Sequence, residues 1–229
     1  MGFMRARSDA QKEVRYAEII SAAERLYAKS GYEEITLAAI AKEANFTRSN
    51  LYKYYRSKDE IFLEILMTDI VAWREDLQGL LPGRRCSIGE FSTHFARSYR
   101  DHARLLDTLT ILFVFIEKNA SLENLAGFKS GLKIEMANLA GLICMSLPAI
   151  SLQQAEEFLI MQIATANGLH PMTNLTEKQQ QAVSAAGLGN LQGTFEVRFR
   201  NIIEAYLQGV LDEPETSGNR NHCMAGDIS

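Results

Sequence analysis

The chain has 229 residues, 47% of them apolar and 23% charged. This is enough for one large or two small domains with a sizeable core, and it excludes a disordered or collagen-like polymer. Charge is uneven. Residues 1–58 hold 11 Lys and Arg against 7 Asp and Glu, a net of +4, whereas the remainder holds 13 against 21, a net of −8. A basic head on an acidic body suggests nucleic-acid contact at one end, although a solvated basic face gives the same balance.

Several classes are set aside at once. The longest apolar-rich run, Leu105 to Ile116, is broken by Asp107 and two threonines and is too short to span a bilayer. Ala6 stands where a myristoylation signal wants Ser or Thr, and no apolar signal-peptide core follows the first arginines. No membrane partner is expected, and the expected location is cytoplasmic. Cys86, Cys144 and Cys223 are far apart and lack metal-ligand spacing, so reduced thiols are expected and no metal or other cofactor. No Gly-rich phosphate loop, His-Glu-x-x-His or Gly-x-Ser-x-Gly motif supports an enzyme.

The predicted elements are helices throughout, because apolar residues recur at the 3.6-residue period and no segment alternates as a strand does. Val14 to Lys29 carries a stripe of Ile19, Ala22, Ala23, Leu26 and Tyr27, closed by Gly31. Thr36 caps Leu37–Ala44, and Asn45 suits a left-handed turn. Thr47 caps Arg48–Tyr54. Ser57 with Glu60 forms a capping box for a long helix to about Leu81, ended by Pro82-Gly83. Further helices are expected at Ser87–Asp101, Ala103–Lys118, Ser121–Ser146 and Ser151–Gly168, the last stopped by Pro171. A short helix at Thr176–Ala186 and a final one from Thr194 to Leu211 complete about nine main helices. The expected domains are a head over residues 1–58 with an N-terminal arm, a body over 59–211 and a disordered tail over 212–229.

Function concentrates in Thr36 to Glu60. Two short helices flank the turn Asn45-Phe46-Thr47, with Ala39, Ile40, Phe46 and Leu51 as the locking contacts. This spacing is that of a helix-turn-helix. The exposed face expected of its second helix is Arg48, Ser49, Asn50, Tyr52, Lys53 and Tyr54. Between Asn45 and Lys58 there are four basic residues and no acid. Basic groups neutralise phosphates, hydroxyls fix register, and Arg and Asn read guanine and adenine edges.

The same stretch resembles the TetR family of bacterial transcriptional regulators. The resemblance lies in Arg25 to Tyr32, Ile35-Thr36, Ile40-Ala41, Phe46-Thr47 and Leu51-Tyr52-x-Tyr54-Tyr55-x-Ser57-Lys58, within residues 12–66. Asn45 stands where the family usually has Gly, and Ser49 where a small residue is common. The resemblance implies an all-α protein: a three-helix DNA-binding head joined by a long helix to a helical ligand-binding and dimerisation body. It implies phosphate contacts for Thr36, Thr47 and Lys58, base contacts for Arg48 and Asn50, a phosphate or thymine-methyl contact for Tyr52, and a backbone contact for Tyr54. Phe46, Leu51 and Tyr55 are expected in the core. Arg5 and Arg7 could reach a minor groove or belong to a disordered arm.

The resemblance further implies a homodimer that binds double-stranded operator DNA and answers to a small-molecule effector. Candidate effector residues are Phe95, Tyr99, His102, Phe113, Phe128, Met136, Met161 and Thr165, although the same residues can build a filled core. Candidate dimer residues are Ala155, Phe158, Leu159, Gln162, Ile163 and Ala166 on one helix, and Phe199, Ile203 and Tyr206 on the last. A two-fold dimer would favour a palindromic operator.

Overall fold

The computed structural model describes residues 2–81, 85–188 and 194–212, with side chains from Gln11 onward. Every regular element among them is helical: α1 (Gly2–Ser30), α2 (Leu37–Glu43), α3 (Arg48–Leu51), α4 (Lys58–Leu80), α5 (Ile88–Ser98), α6 (Ala103–Ile111), a π-helical segment (Leu112–Ile116), α7 (Glu117–Asn119), α8 (Leu122–Ser146), α9 (Leu152–Thr173), α10 (Glu177–Ala185) and α11 (Phe195–Asp212). This is the all-α fold expected from the periodicity.

Side-chain caps set the starts. Thr36, Thr47, Ser87, Ser151 and Thr176 each accept the amide three residues on. At Ser87, Ser151 and Thr176 the reciprocal bond from Glu90, Gln154 and Gln179 completes the capping box. Gly31 (φ 72°) and Asn45 (φ 57°) supply the left-handed turns that end α1 and α2. After α2 the Phe46 amide donates to the Ala41 carbonyl at 2.8 Å and the Asn45 amide to Lys42 at 3.2 Å, so the chain leaves the helix through a Schellman turn.

Four expectations are corrected. α1 begins twelve residues before Val14, at Gly2. The second helix of the motif is a single α-turn, Arg48–Leu51, continued to Tyr55 by turn hydrogen bonds rather than a regular helix to Tyr54. Ala103–Lys118 is not one α-helix. Leu112 and Ile116 are buried, but Phe113, Val114 and Phe115 between them are about half exposed, and the backbone takes an extra residue into a π-turn there. α9 continues through Pro171 to Thr173, because a proline in the last turn removes one hydrogen bond only, and the Asn174 amide still reaches the His170 carbonyl at 2.9 Å. Pro82-Gly83 and residues 213–229 of the expected tail lie outside the described residues.

The chain forms two compact units: Met1–Thr68 with Leu112–Ser130, and Asp69–Ile111 with Gly131–Ser229. The first, here called the head, thus takes in residues 112–130, which the sequence reading assigns to the body. Its core is Ile19, Ala22, Ala23, Ile35, Ile40, Ala41, Phe46, Leu51, Tyr55, Ile61, Phe62, Ile65 and Leu66, all buried. Tyr27 and Tyr32 close on Phe62 at ring distances of 5.8 and 4.9 Å.

The second unit, the body, is built on an aromatic cluster. Trp73, Phe91, Phe95, Tyr99, Phe158, Phe195, Phe199 and Tyr206 contact one another with centroids 4.6 to 6.3 Å apart. The Trp73 indole donates to the Ser98 hydroxyl at 2.8 Å, so its polar edge is satisfied inside the cluster. Around it, Arg104 grips Asp69 through two hydrogen bonds of 2.8 and 2.6 Å, and Arg74 holds Glu135 at 2.6 Å.

Candidate nucleic-acid interface

The head displays the expected residues in three ways. Thr36 and Thr47 are exposed, and each oxygen accepts a helix amide, from Ala39 at 3.1 Å and Asn50 at 3.2 Å. Capping uses the oxygen as acceptor and leaves the hydroxyl proton available to a phosphate. Arg48, Ser49, Tyr52 and Lys53 are exposed, and Asn50 is half-buried. Arg48 donates to the Tyr52 hydroxyl at 3.1 Å and lies 5.6 Å from the centre of its ring. This i,i+4 pair holds the guanidinium on the outer face of α3.

Tyr54 and Lys58 are placed differently. Tyr54 is half-buried, edge-on to Tyr16 at 5.2 Å and to Phe46 at 5.9 Å, so most of the ring fixes α1 to the turn after α3. The Lys58 ammonium donates to the carbonyls of Tyr32 (2.8 Å) and Glu33 (3.4 Å) and sits 4.0 Å from the centre of the Tyr32 ring. It clamps the loop between α1 and α2. Burial lowers its pKa, while Asp59 and Glu33 oppose the shift. These bonds use two of the ammonium's three donors and leave one for the expected phosphate contact. Tyr32 in turn donates to Asp59, and burial followed by this bond raises the phenol's pKa.

Phe46, Leu51 and Tyr55 are core as expected. The Tyr55 hydroxyl donates to Glu64 at 2.7 Å. The Ser57–Glu60 box is only half formed. Ser57 accepts the Glu60 amide at 3.3 Å, but the Glu60 carboxylate turns to the Arg56 amide (2.7 Å) and the Ser121 amide (3.2 Å).

Beside α3 lies an open groove of about 390 Å³ lined by Arg15, Asn45, Phe46, Thr47, Ser49, Asn50 and Lys53, with no carboxylate in its wall. Arg15 was missed by the motif reading because it belongs to α1. It lies 5.4 Å from the centre of the Phe46 ring, and its charge is shared with Glu18 at 2.7 Å. Its one visible signal was membership of the basic head.

The candidate effector residues are divided between the two units. Phe113 and Phe128 belong to the head, where Lys129 lies 5.3 and 5.9 Å from their ring centres. Phe95 and Tyr99 are fully packed in the body's aromatic cluster. His102 bonds Asp76 at 2.8 Å, and the Thr165 hydroxyl donates to the Met161 carbonyl at 2.8 Å. Met136 is half-buried and Met161 is exposed over 45% of its surface.

The candidate dimer residues are corrected by burial. Ala155, Phe158, Leu159, Gln162, Ala166, Phe199 and Ile203 have at most 2% of their surface exposed within the single chain. They face the chain's own core and have nothing left to bury against a partner. Ile163 and Tyr206 are half-buried. The exposed sides of the same helices carry Ile160, Met161, Ala164 and Gly168 on α9, and Ile202, Ala205 and Gly209 on α11.

Comparison with known proteins divides the chain near residue 66. Residues 19–65 match the family described as bacterial regulatory proteins, tetR family, and residues 67–214 match the tetracyclin repressor-like C-terminal domain. The regulator QacR of Staphylococcus aureus is 34% identical over 58 residues, 25% of this chain and 31% of its own length. The repressor KstR of Rhodococcus jostii is 29% identical over 119 residues, 51% of this chain and 55% of its own. This chain thus spans about a third to a half of those curated relatives, which are named as regulators and not as enzymes. Among solved structures, Thermus thermophilus FadR in complex with lauroyl-CoA superposes with a TM-score of 0.57 at 19% identity, over 90% of this chain and 100% of that one, a likeness of fold. No described helix is long and apolar enough to cross a membrane. With matches that cover both the helix-turn-helix and the helices beyond it, the chain belongs to the TetR family of bacterial transcriptional regulators.

Proposed function

We propose that this protein is a homodimeric repressor that occupies a palindromic double-stranded operator and is released by a small, largely apolar effector. The observation that carries the DNA reading is the acid-free groove beside α3, bordered by Arg15, Ser49, Asn50 and Lys53. Arg48 and Asn50 read base edges from the N-terminal turn of α3, and Thr36, Thr47, Tyr52 and Lys53 hold phosphates. Lys58 supports them from within by fixing the α1–α2 loop.

The dimer face assigned by this reading is the exposed stripe Ile160, Met161, Ala164 and Gly168 of α9 with Ile202, Ala205 and Gly209 of α11. Large apolar groups supply burial, and the small residues let helices of the second copy approach closely. A two-fold axis then sets two α3 helices about 34 Å apart, one turn of DNA. The effector class follows the body's apolar character. A Bacillus subtilis relative, 27% identical over 96 residues and half of its own length, is named a fatty acid metabolism regulator, which puts acyl thioesters first in a screen.

The test is selection of bound fragments from the source genome, followed by sequencing and titration with long-chain acyl-CoAs and other apolar metabolites. A recurrent palindrome, released by one of these compounds, is the expected outcome. Binding without sequence preference would sink the operator reading, and a monomer at micromolar concentration would sink the dimer.

A further inference from the structure

The Glu60 carboxylate is almost fully buried, at 2% exposure, in the first turn of α4. One of its oxygens accepts the Arg56 amide at 2.7 Å, directly after the α3 turn ends at Tyr55. The other accepts the Ser121 amide at 3.2 Å, at the cap of α8. The side chains of Ser121 and Asn124 lie beside it and favour its charged form. All of these residues lie within the head, whose second stretch, Leu112–Ser130, contains the π-turn, α7 and the first turns of α8.

We infer that Glu60 is the positioning residue through which the start of α8 sets the pose of the DNA-reading helix. The inference rests on the proposed DNA-binding role of the head. Its physical basis is the cost of abandoning a buried carboxylate. An ionised group removed from water needs its donors, and losing one leaves charge uncompensated. Each oxygen serves one side, so a shift of Ser121 either pulls α4 with it or strips a donor from the carboxylate. Burial pushes the Glu60 pKa up, but the donors from Ser121, Arg56 and Asn124 outweigh it and hold the carboxyl below its usual range. The other end is tied too. Arg56 follows Tyr55, whose ring is buried and whose hydroxyl is held by Glu64. Movement at the cap of α8 is thereby handed to Thr47–Tyr55 through one side chain and not through a continuous helix. The π-turn at Leu112–Ile116, with Phe113, Val114 and Phe115 exposed, lies a few residues upstream of that cap, so the regular helical hydrogen bonding is interrupted just before it.

The test is amide hydrogen exchange on the full-length protein, free of DNA, for wild type, Glu60→Gln, Asn124→Ala and the double variant. Asn124 is exposed, so its truncation leaves the fold intact even if Glu60→Gln does not fold. The expected result for Asn124→Ala is exchange roughly five-fold faster both at residues 121–126 and at residues 47–56, with the rest of the head unchanged. Adding Asn124→Ala to Glu60→Gln should produce no further change at 47–56. Faster exchange confined to 121–126, a uniform rise across the head, or additive effects in the double variant would each overturn the coupling. Because the readout needs no DNA, failure of the wild type to find an operator would strike the functional reading and leave this result to be judged by itself.

Discussion

Two apolar stripes at helical spacing, one in the head and one in the body, bury comparable side chains. Ile40, Ala41 and Leu51 are covered in the head, and Ala155, Phe158, Leu159 and Ala166 in the body. Their opposite faces differ. Around α3 that face is Arg48, Ser49, Tyr52 and Lys53, polar and basic, whereas on α9 it is Ile160, Met161, Ala164 and Gly168, apolar and small. A polar face left open by the chain's own packing is complemented by a charged polymer, and an apolar one by another apolar surface. The face that binds is the one the core leaves over, so it is found only once the core has been assigned.

The largest expected effect breaks the body's side of this contrast. Phe158→Ala empties the centre of the aromatic cluster and should cost about 3–5 kcal/mol of stability in urea unfolding. Ile160→Ala, two residues on and on the opposite face of α9, should cost under about 1 kcal/mol in the monomer and weaken self-association. Equal losses at the two positions would mean that α9 is covered on both sides by its own chain.

In the head the order of effects reverses between stability and binding. Asn50→Ala should cost roughly 1–3 kcal/mol in operator affinity and relax specificity at one base position. Its unfolding midpoint should stay near that of wild type, because the cap at Thr47 uses the Asn50 backbone amide and not its side chain. Asn45→Ala should do the opposite. A φ of 57° is tolerated by Asn but costs Ala about 1–2 kcal/mol, so stability falls, and Asn45→Gly should restore it while losing the same side chain from the groove wall. The smallest effect is at Lys53. Lys53→Ala should lower affinity uniformly across sequences and reduce the slope of log affinity against log salt by about 1. A base-dependent loss there would place Lys53 among the readers instead of the phosphate contacts.

Much of the head was legible because its signals are local. Thr36 and Thr47 cap the amide three residues on, Asn45 takes the left-handed turn, and Phe46 and Leu51 lock the helices, all within fifteen residues of one another. Glu60 was legible in half. Its amide meets Ser57 as the capping box requires, yet its carboxylate goes to Arg56 and to Ser121, sixty-one residues away. Lys58 was legible in half for the same reason: its place in a basic run suggests a phosphate, while the carbonyl pair of the α1–α2 loop that takes two of its donors is brought back by the fold. In the body, apolar periodicity marked the presence of α9 and α11, and the resemblance assigned their apolar stripes to a partner, whereas most of those residues are buried within the chain, because a stripe does not state what covers it.

The amino-acid sequence by itself determined the helical class, the caps that start α2, α3, α5, α9 and α10, and the basic, acid-free character of the stretch around α3. These follow from short-range sterics and hydrogen bonding, which act over three or four residues. The tertiary structure decided that residues 112–130 join the head, that the π-turn interrupts the helix before α7, that Phe95, Tyr99 and Phe158 share one cluster, and which sides of α9 and α11 remain exposed. Those outcomes depend on which surfaces meet, and burial is a property of pairs of elements that no single stretch of sequence carries.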